Sequence, residues 1–373
     1  MEHMYKPVVW KLPDDFDQRS NFDRCLLRLD MTSSPGYPYQ REAPTNGQWL
    51  KWNGIETDFI QTERLWHDTQ LVINGKWKEV IKVFIKQEPH KKAKFESKRW
   101  RLIMAGSLPV QMAWHMCFSV LNDLEISEAY FIPSKQGIKF VAGDWKRFLS
   151  QCENLGLSCG VDKSSWDWTA PYWALRLDLE FRYRLARGKR LDDWYVLASS
   201  LYDGMFKDPT LMLSDGRLFK QVVPGVMKSG CVNTISTNSH CQMFIHLAMC
   251  IENDLPLHPL PFACGDDTLQ HPIHTEDISL YGNYGVVIKE VSETREFMGH
   301  TILHTGPSPN YLMKHLSSLE HTDDDNLSQF LDSMARMYVH TDYFEFWETL
   351  ARASGVELPL SRHAYLYWYD FSF

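Results

Sequence analysis

The chain has 373 residues, 44% hydrophobic and 23% charged, with 14 Trp, 16 Tyr and 20 Phe. These proportions exclude disorder, a collagen-like repeat or a coiled coil as the main state, and the length predicts two or three interwoven subdomains around an ample core. Thirty-nine basic residues against 47 acidic ones leave a net charge of −8, so any nucleic-acid binding must come from a local basic patch. The eight cysteines form no CxxC pair, the pattern of reduced thiols in a cytosolic compartment. The opening MEHMYKPVVWKLPDDFD lacks a signal-peptide apolar region, and the longest apolar approach, Met243–Ile251, is broken by His246. No transmembrane segment is expected.

In chain order, residues 1–75 read as irregular and turn-rich, notably TSSPGYPY at 32–39. IKVFIK at 81–86 alternates like a strand, and a basic run follows. Residues 108–130 read as a helix, and 155–161 as a buried strand ending at Asp162. Pro171 fits the first turn of a helix reaching about Gly188. LMLSDGRLF at 211–219 reads as a hairpin turning at Asp-Gly. A long helix follows Ser229-Gly230, with Phe244, Leu247, Ala248 and Ile251 predicted as its apolar face. PLPFACGDDTLQ at 259–270 reads as two short strands around a tight turn. The remainder is helical: Leu327, Phe330, Leu331, Met334 and Tyr338 share one face, and a second helix near Tyr343–Ala353 stops at Gly355.

Gly265-Asp266-Asp267 alone is three common turn residues and reads equally as a solvated β-turn. Asp162-Lys-Ser-Ser-Trp-Asp167 adds one acid at the exit of an apolar strand and another five positions later. Clustered carboxylates repel unless a cation sits among them, and hard oxygen ligands favour Mg²⁺ or Mn²⁺. The third element is Ser229-Gly230-Cys-Val-Asn-Thr234-Ile-Ser-Thr-Asn238, at the opening of a helix. D-x4-D, then SG-x3-T-x3-N, then GDD resemble, in that order, motifs A, B and C of the viral RNA-dependent RNA polymerase palm. Lys86-Gln-Glu88, Lys94 and Arg101-Leu-Ile resemble motif F. Thr32-Ser33 through Gly36-Tyr37-Pro38-Tyr39 resembles motif G, Gly285–Lys289 looks like motif D, and Glu296–His300 looks like motif E. The resemblance runs from residue 32 to residue 300. It is nearest in style to the sobemovirus-like and luteovirus-like polymerases of positive-strand RNA viruses, with KSG at motif B.

The resemblance implies an α+β right-hand fold. Residues 1–154 would be fingers, 155–188 palm with motif A, 189–224 a fingers insertion, 225–305 palm with motifs B to E, and 306–373 a small helical thumb and tail. It implies RNA-templated RNA synthesis with two Mg²⁺ ions, Mn²⁺ being able to replace them. Asp162 and Asp266 would be direct metal ligands, with Asp267 supporting the second ion or the primer end. Asp167 and Asn238, helped by Ser229 or Thr234, would read the ribose 2′-hydroxyl. Lys86, Lys94 and Arg101 would hold the triphosphate, Glu88 would brace their loop, and Lys91 belongs to the same basic run. Lys289 would be a general acid toward pyrophosphate. Thr32, Ser33, Gly36, Tyr37 and Pro38 would shape the template path. Implied partners are the RNA template and product strand, NTPs, and a protein primer or other viral replication proteins. The expected location is the host cytoplasm, at membrane-associated replication complexes reached through partners. A two-metal nuclease and a non-catalytic RNA-binding replication scaffold are the alternatives. The aromatic stretch Tyr365–Phe373 either packs a terminal segment onto the thumb or folds back toward the cleft to support an initiating nucleotide.

Overall fold

A computed structural model describes residues 1–88, 90 and 92–371. Lys91 of the basic run and the last two residues of the aromatic tail lie outside the described residues. The central element is an antiparallel four-stranded sheet in the order Ile288–Ser292, Cys159–Lys163, Asp267–Gln270, Phe262–Cys264. In the second of these only Asp162 is exposed. The strand begins later than its apolar run suggests, because Leu155 still belongs to the helix Asp144–Leu155. Cys264 pairs with Asp267, which leaves Gly265 and Asp266 as the predicted tight turn.

A second sheet joins Leu102–Ala105, Ile81–Ile85, Thr210–Met212 and Leu218–Lys220. The Asp-Gly hairpin forms as expected, and its first strand runs parallel to Ile81–Ile85. The basic run thus hangs between two strands of one sheet. The helices Leu108–Ser127, Tyr172–Leu185, Leu191–Phe206 and Thr234–Glu252 build the largest core, with residues from Tyr5 to Phe16. Trp114 stacks on Tyr202 at 5.1 Å, and Trp10 meets Trp194 edge-on at 5.4 Å. Each such buried ring contributes about 1.5–3 kcal/mol through apolar area alone.

Several expectations change. Residues 1–75 are not simply irregular: they hold the helices Arg19–Leu26 and Phe59–Ile73, the latter capped by the Asp58 carboxylate accepting from the Gln61 amide at 3.1 Å. The helix Thr234–Glu252 has no single apolar stripe. Ile251 is 65% exposed, while Ser236, Thr237, Asn238, Ser239, His240, Gln242 and His246 are buried. A helix enclosed on most sides buries polar groups wherever partners await them, so periodicity of apolar residues misjudges its face. The helix Asp144–Leu155, expected with the first segment, buries Trp145, Phe148, Leu149 and Cys152 in one cluster with Phe262, Leu269 and Phe297. It therefore packs with the central sheet.

The C-terminal helices Asp324–Met337 and Tyr343–Ala353 follow the predicted pattern around Leu331, Met334, Tyr338 and Trp347. The helix Arg362–Asp370 carries the aromatic tail, with Tyr365 and Tyr369 buried. The Tyr365 hydroxyl donates to Asp332, and the Trp145 indole donates to Asp370 at 2.8 Å. The rings of Tyr365 and Tyr369 are spent on packing, which corrects the idea that they support an initiating nucleotide. No helix among the described residues is long and apolar enough to cross a membrane.

Candidate active site

Pairing brings the acids together. Cys159–Lys163 lies beside Asp267–Gln270 in antiparallel register, with Val161 opposite Thr268, so Asp162 emerges beside the Gly-Asp-Asp turn. Asp162 and Asp266 are exposed. Asp267 is half-buried and accepts the Met298 amide at 2.6 Å, which ties the hairpin to the strand Glu296–Phe297. Burial pushes the Asp267 carboxyl up to about 6; the Met298 amide and Lys163 oppose this, and Asp266 and Asp162 add to it. Three oxygen-donor groups whose mutual repulsion is only partly offset fit a divalent cation by charge and donor type.

Lys289 sits at a β-bulge in Ile288–Ser292, where Ile288 faces Lys163 and Glu290 faces Asp162. A bulge re-aims a side chain, and here the Lys289 ammonium is turned onto the Asp162 carboxylate. Its hydrogen bond with Asp162 raises the Lys289 pKa, so the paired lysine holds its proton more firmly than a free one.

Asp167 lies in the short helix Trp166–Thr169, and its carbonyl accepts the Met227 amide at 2.7 Å, just ahead of Ser229. Burial pushes its carboxyl up to about 6, the nearby Asp266 adds to this, and Arg101 opposes it. Those couplings connect three of the predicted elements at one place. The Ser229 hydroxyl donates to the Leu102 carbonyl at 3.0 Å. At Gly230 a Cβ would stand 2.4 Å from the Met104 carbonyl oxygen, so only glycine lets this loop lie on the strand Leu102–Ala105. The Thr234 hydroxyl is turned onto its own loop, 2.7 Å from the Cys231 carbonyl and 3.1 Å from that of Lys228. Ser229 and Thr234 thus donate their protons to backbone carbonyls and fix the loop, while each hydroxyl oxygen keeps the capacity to accept. Asn238 is buried, and its Oδ1 has no partner.

Lys86 and Arg101 both pair with Glu88, at 3.0 and 2.8 Å, as expected for a braced loop. Partial burial would raise the Glu88 pKa, but its two cationic partners outweigh it and lower the value. Lys94 stands exposed on the short helix Lys92–Glu96. In the 32–38 segment, Thr32 and Ser33 donate their hydroxyls to Asp30 at 2.7 Å each. Gly36, at φ +66°, approaches so closely that a Cβ would meet the Gly106 carbonyl oxygen at 2.3 Å. Tyr37 is half-buried and Pro38 exposed. These contacts anchor the segment at the end of the Leu102–Ala105 strand and leave Thr32 and Ser33 exposed.

Sequence reading missed two supports of the turn. Lys163 is buried, and its ammonium donates to the Asp266 carbonyl at 3.0 Å and the Thr268 hydroxyl at 2.8 Å. Burial lowers its pKa to about 8, against the pull of Asp266, Asp267 and Asp162. Strand alternation was the available signal, since it turns Lys163 to the face opposite Asp162. Ser239, one position after Asn238, accepts the Gly265 amide at 2.9 Å and so fastens the turn to the long helix. Lys163→Met should leave the Asp266 carbonyl unpaired, costing about 1–3 kcal/mol of stability and slowing incorporation more than it weakens RNA binding. Urea unfolding and single-nucleotide incorporation measure the two effects; wild-type values in both would contradict this role.

An antiparallel sheet that presents acids from a strand and a tight turn, flanked by a basic loop and the start of a buried helix, defines the catalytic core of a right-hand polymerase. The fold is similar to that of the Sicinivirus 3Dpol RNA dependent RNA polymerase, with a TM-score of 0.69 over 93% of this chain and 82% of that one, at 17% identity. The chain belongs to the viral RNA-dependent RNA polymerase family, whose model matches residues 19–270. It is 33% identical over 262 residues to the replicase polyprotein P2AB of Southern bean mosaic virus, covering 65% of this chain and 26% of that protein. It is 32% identical over 238 residues to protein P1-P2 of Potato leafroll virus (strain Potato/Netherlands/Wageningen/1989), covering 59% and 21%. The chain thus spans about a quarter of the length of the curated relatives it matches. The expected sobemovirus-like and luteovirus-like kinship is borne out.

Proposed function

We propose that this chain copies an RNA template into RNA from ribonucleoside triphosphates, replicating and transcribing a viral RNA genome. The observation that carries the reading is the convergence of Asp162, Asp266 and Asp267 on adjoining strands, with Asp167 and Arg101 close enough to influence each other there. Asp162 and Asp266 would hold two Mg²⁺ ions, with Asp267 supporting the site, and Mn²⁺ would substitute. When bound, such ions would supply activation of an attacking hydroxyl and charge stabilisation for leaving pyrophosphate.

The chain's own residues do the rest. Lys86 and Arg101, steered by Glu88, would offset triphosphate charge, with Lys94 contributing from its exposed position. Lys289, paired with the Asp162 carboxylate, would have to leave it before delivering a proton to pyrophosphate. The segments 1–143 and 189–224 would form the fingers, 144–188 and 225–305 the palm, and 306–373 the thumb; the clustering of Trp145 and Phe148 with Phe262 and Leu269 supports counting the helix Asp144–Leu155 with the palm. A nuclease would have no use for the wiring of the Ser229–Gly230 loop to the strand Leu102–Ala105, which follows the basic run, and that wiring favours synthesis over degradation.

Asp167 and the unpartnered Asn238 Oδ1 would satisfy a ribose 2′-hydroxyl, which both donates and accepts. Asp167→Ala or Asn238→Ala should narrow the preference for NTP over dNTP by about 1–3 kcal/mol. Incorporation of matched NTP and dNTP pairs on one primed template checks this. Unchanged selectivity in both variants would place ribose reading elsewhere.

A further inference from the structure

The distal part of the helix Thr234–Glu252 carries His246 and Cys250, both buried and four residues apart on one face. The 3-10 helix Pro272–His274 follows the strand Asp267–Gln270 and presents buried His274 to them. The rings of His246 and His274 meet at 87° with centroids 4.5 Å apart. One ligating atom from each of the three residues lies within 4.8 Å of the other two.

Two details set this cluster apart from ordinary packed histidines. His274 Nε2 lies 2.7 Å from the Pro256 carbonyl oxygen, which fixes the hydrogen on Nε2 and leaves the lone pair on Nδ1. That Nδ1 is buried with no partner. A backbone carbonyl holding the far nitrogen is the outer contact that metal-bound imidazoles make. In addition, His246 Nε2 and Cys250 Sγ are 3.6 Å apart. Zinc bonds of about 2.3 Å to sulfur and about 2.0–2.1 Å to nitrogen span a tetrahedral edge of about 3.5 Å.

We propose that His246, Cys250 and His274 bind a zinc ion that fastens the end of the long helix to the chain leaving the Gly-Asp-Asp hairpin. On binding, the Cys250 thiol releases its proton to solvent as the sulfur–zinc bond forms. Two neutral imidazoles and one thiolate then ligate the ion, and water takes the fourth position. This site is separate from the carboxylates, and its soft and borderline donors select against Mg²⁺. The fastening joins the two elements that Ser239 already links at the turn.

The test uses the full chain, loaded with equimolar zinc sulfate, desalted and assayed for metal content. About one zinc per chain should remain, and His274→Ala should bring this to background. Cobalt substitution should produce a thiolate-to-cobalt charge-transfer band that Cys250→Ser removes and Cys264→Ser retains. No retained zinc in the wild-type chain, or a band that survives Cys250→Ser, overturns the proposal. If the variants fail to fold, the wild-type cobalt spectrum decides: a charge-transfer band upholds the site, and its absence overturns it.

Discussion

Asp266→Ala should abolish nucleotide incorporation while leaving RNA binding nearly intact. Asp266 is the exposed acid at the tip of the hairpin, and its backbone carbonyl, held by Lys163, survives the substitution. The turn should therefore keep its shape, and the loss should be of cation binding alone. A metal site that supplies several kcal/mol of transition-state stabilisation, at about 1.4 kcal/mol per factor of ten, loses about 10³-fold or more in rate with a shared ligand. RNA affinity rests on phosphate contacts and stacking elsewhere, so it should change little. Incorporation rate and filter binding, measured on one folded preparation, check both halves. Substantial elongation by Asp266→Ala would remove the carboxylates from the catalytic role.

The largest stability effect should come from a position outside the motifs themselves. Asp178 is fully buried and receives Arg182 Nε at 3.1 Å, Thr237 Oγ1 at 2.7 Å, His240 Nδ1 at 2.6 Å and the Tyr202 hydroxyl. Glu125 completes the group, 2.9 Å from His240 Nε2 and accepting from Ser236 at 2.6 Å. Two acids face two cations, and the group bridges four helices. Asp178→Ala would leave those donors unpaired and the remaining charge uncompensated, which costs about 3–5 kcal/mol in a buried ion pair. A loss under about 1 kcal/mol in urea unfolding would contradict this reading. The same group predicts a pH effect. Burial disfavours charge on His240, but Glu125 and Asp178 outweigh it and raise its pKa from 6.5 to about 9. A raised folded-state value means that the contribution is fully present below about pH 6.5 and is lost as pH rises through about 9. His240→Gln should flatten stability across that window, and an unchanged slope would show that another group titrates there.

The hairpin around Gly265-Asp266, the exit of Asp162 from its strand, the Asp-Gly hairpin and the C-terminal helices were all legible from local rules: alternation, turn chemistry and helical spacing. The order of the acidic and SG-x3-T-x3-N motifs was also enough to name the family. What stayed hidden depends mostly on non-local packing. Nothing near Gly230 in the chain announces the Met104 carbonyl against which it lies, and nothing near Gly36 announces Gly106. The hydroxyls of Thr32, Ser33 and Thr234 are different: they bond to acceptors only two or three residues away, local side-chain–backbone and Asp turns that the residue types themselves favour. The long helix was misjudged through non-local packing. His240, Ser236 and Thr237 are polar by type yet belong to the interior, because Asp178, Arg182 and Glu125 arrive from other helices to meet them.

The most direct measurement is template-dependent synthesis by the purified chain on a heteropolymeric RNA, with and without a primer, in the presence of Mg²⁺ and all four NTPs. Labelled product RNA complementary to the template should form only when the divalent cation and the template are both present. RNA shortened by hydrolysis, or bound without any strand being made, would contradict this expectation and restore the nuclease or the scaffold reading.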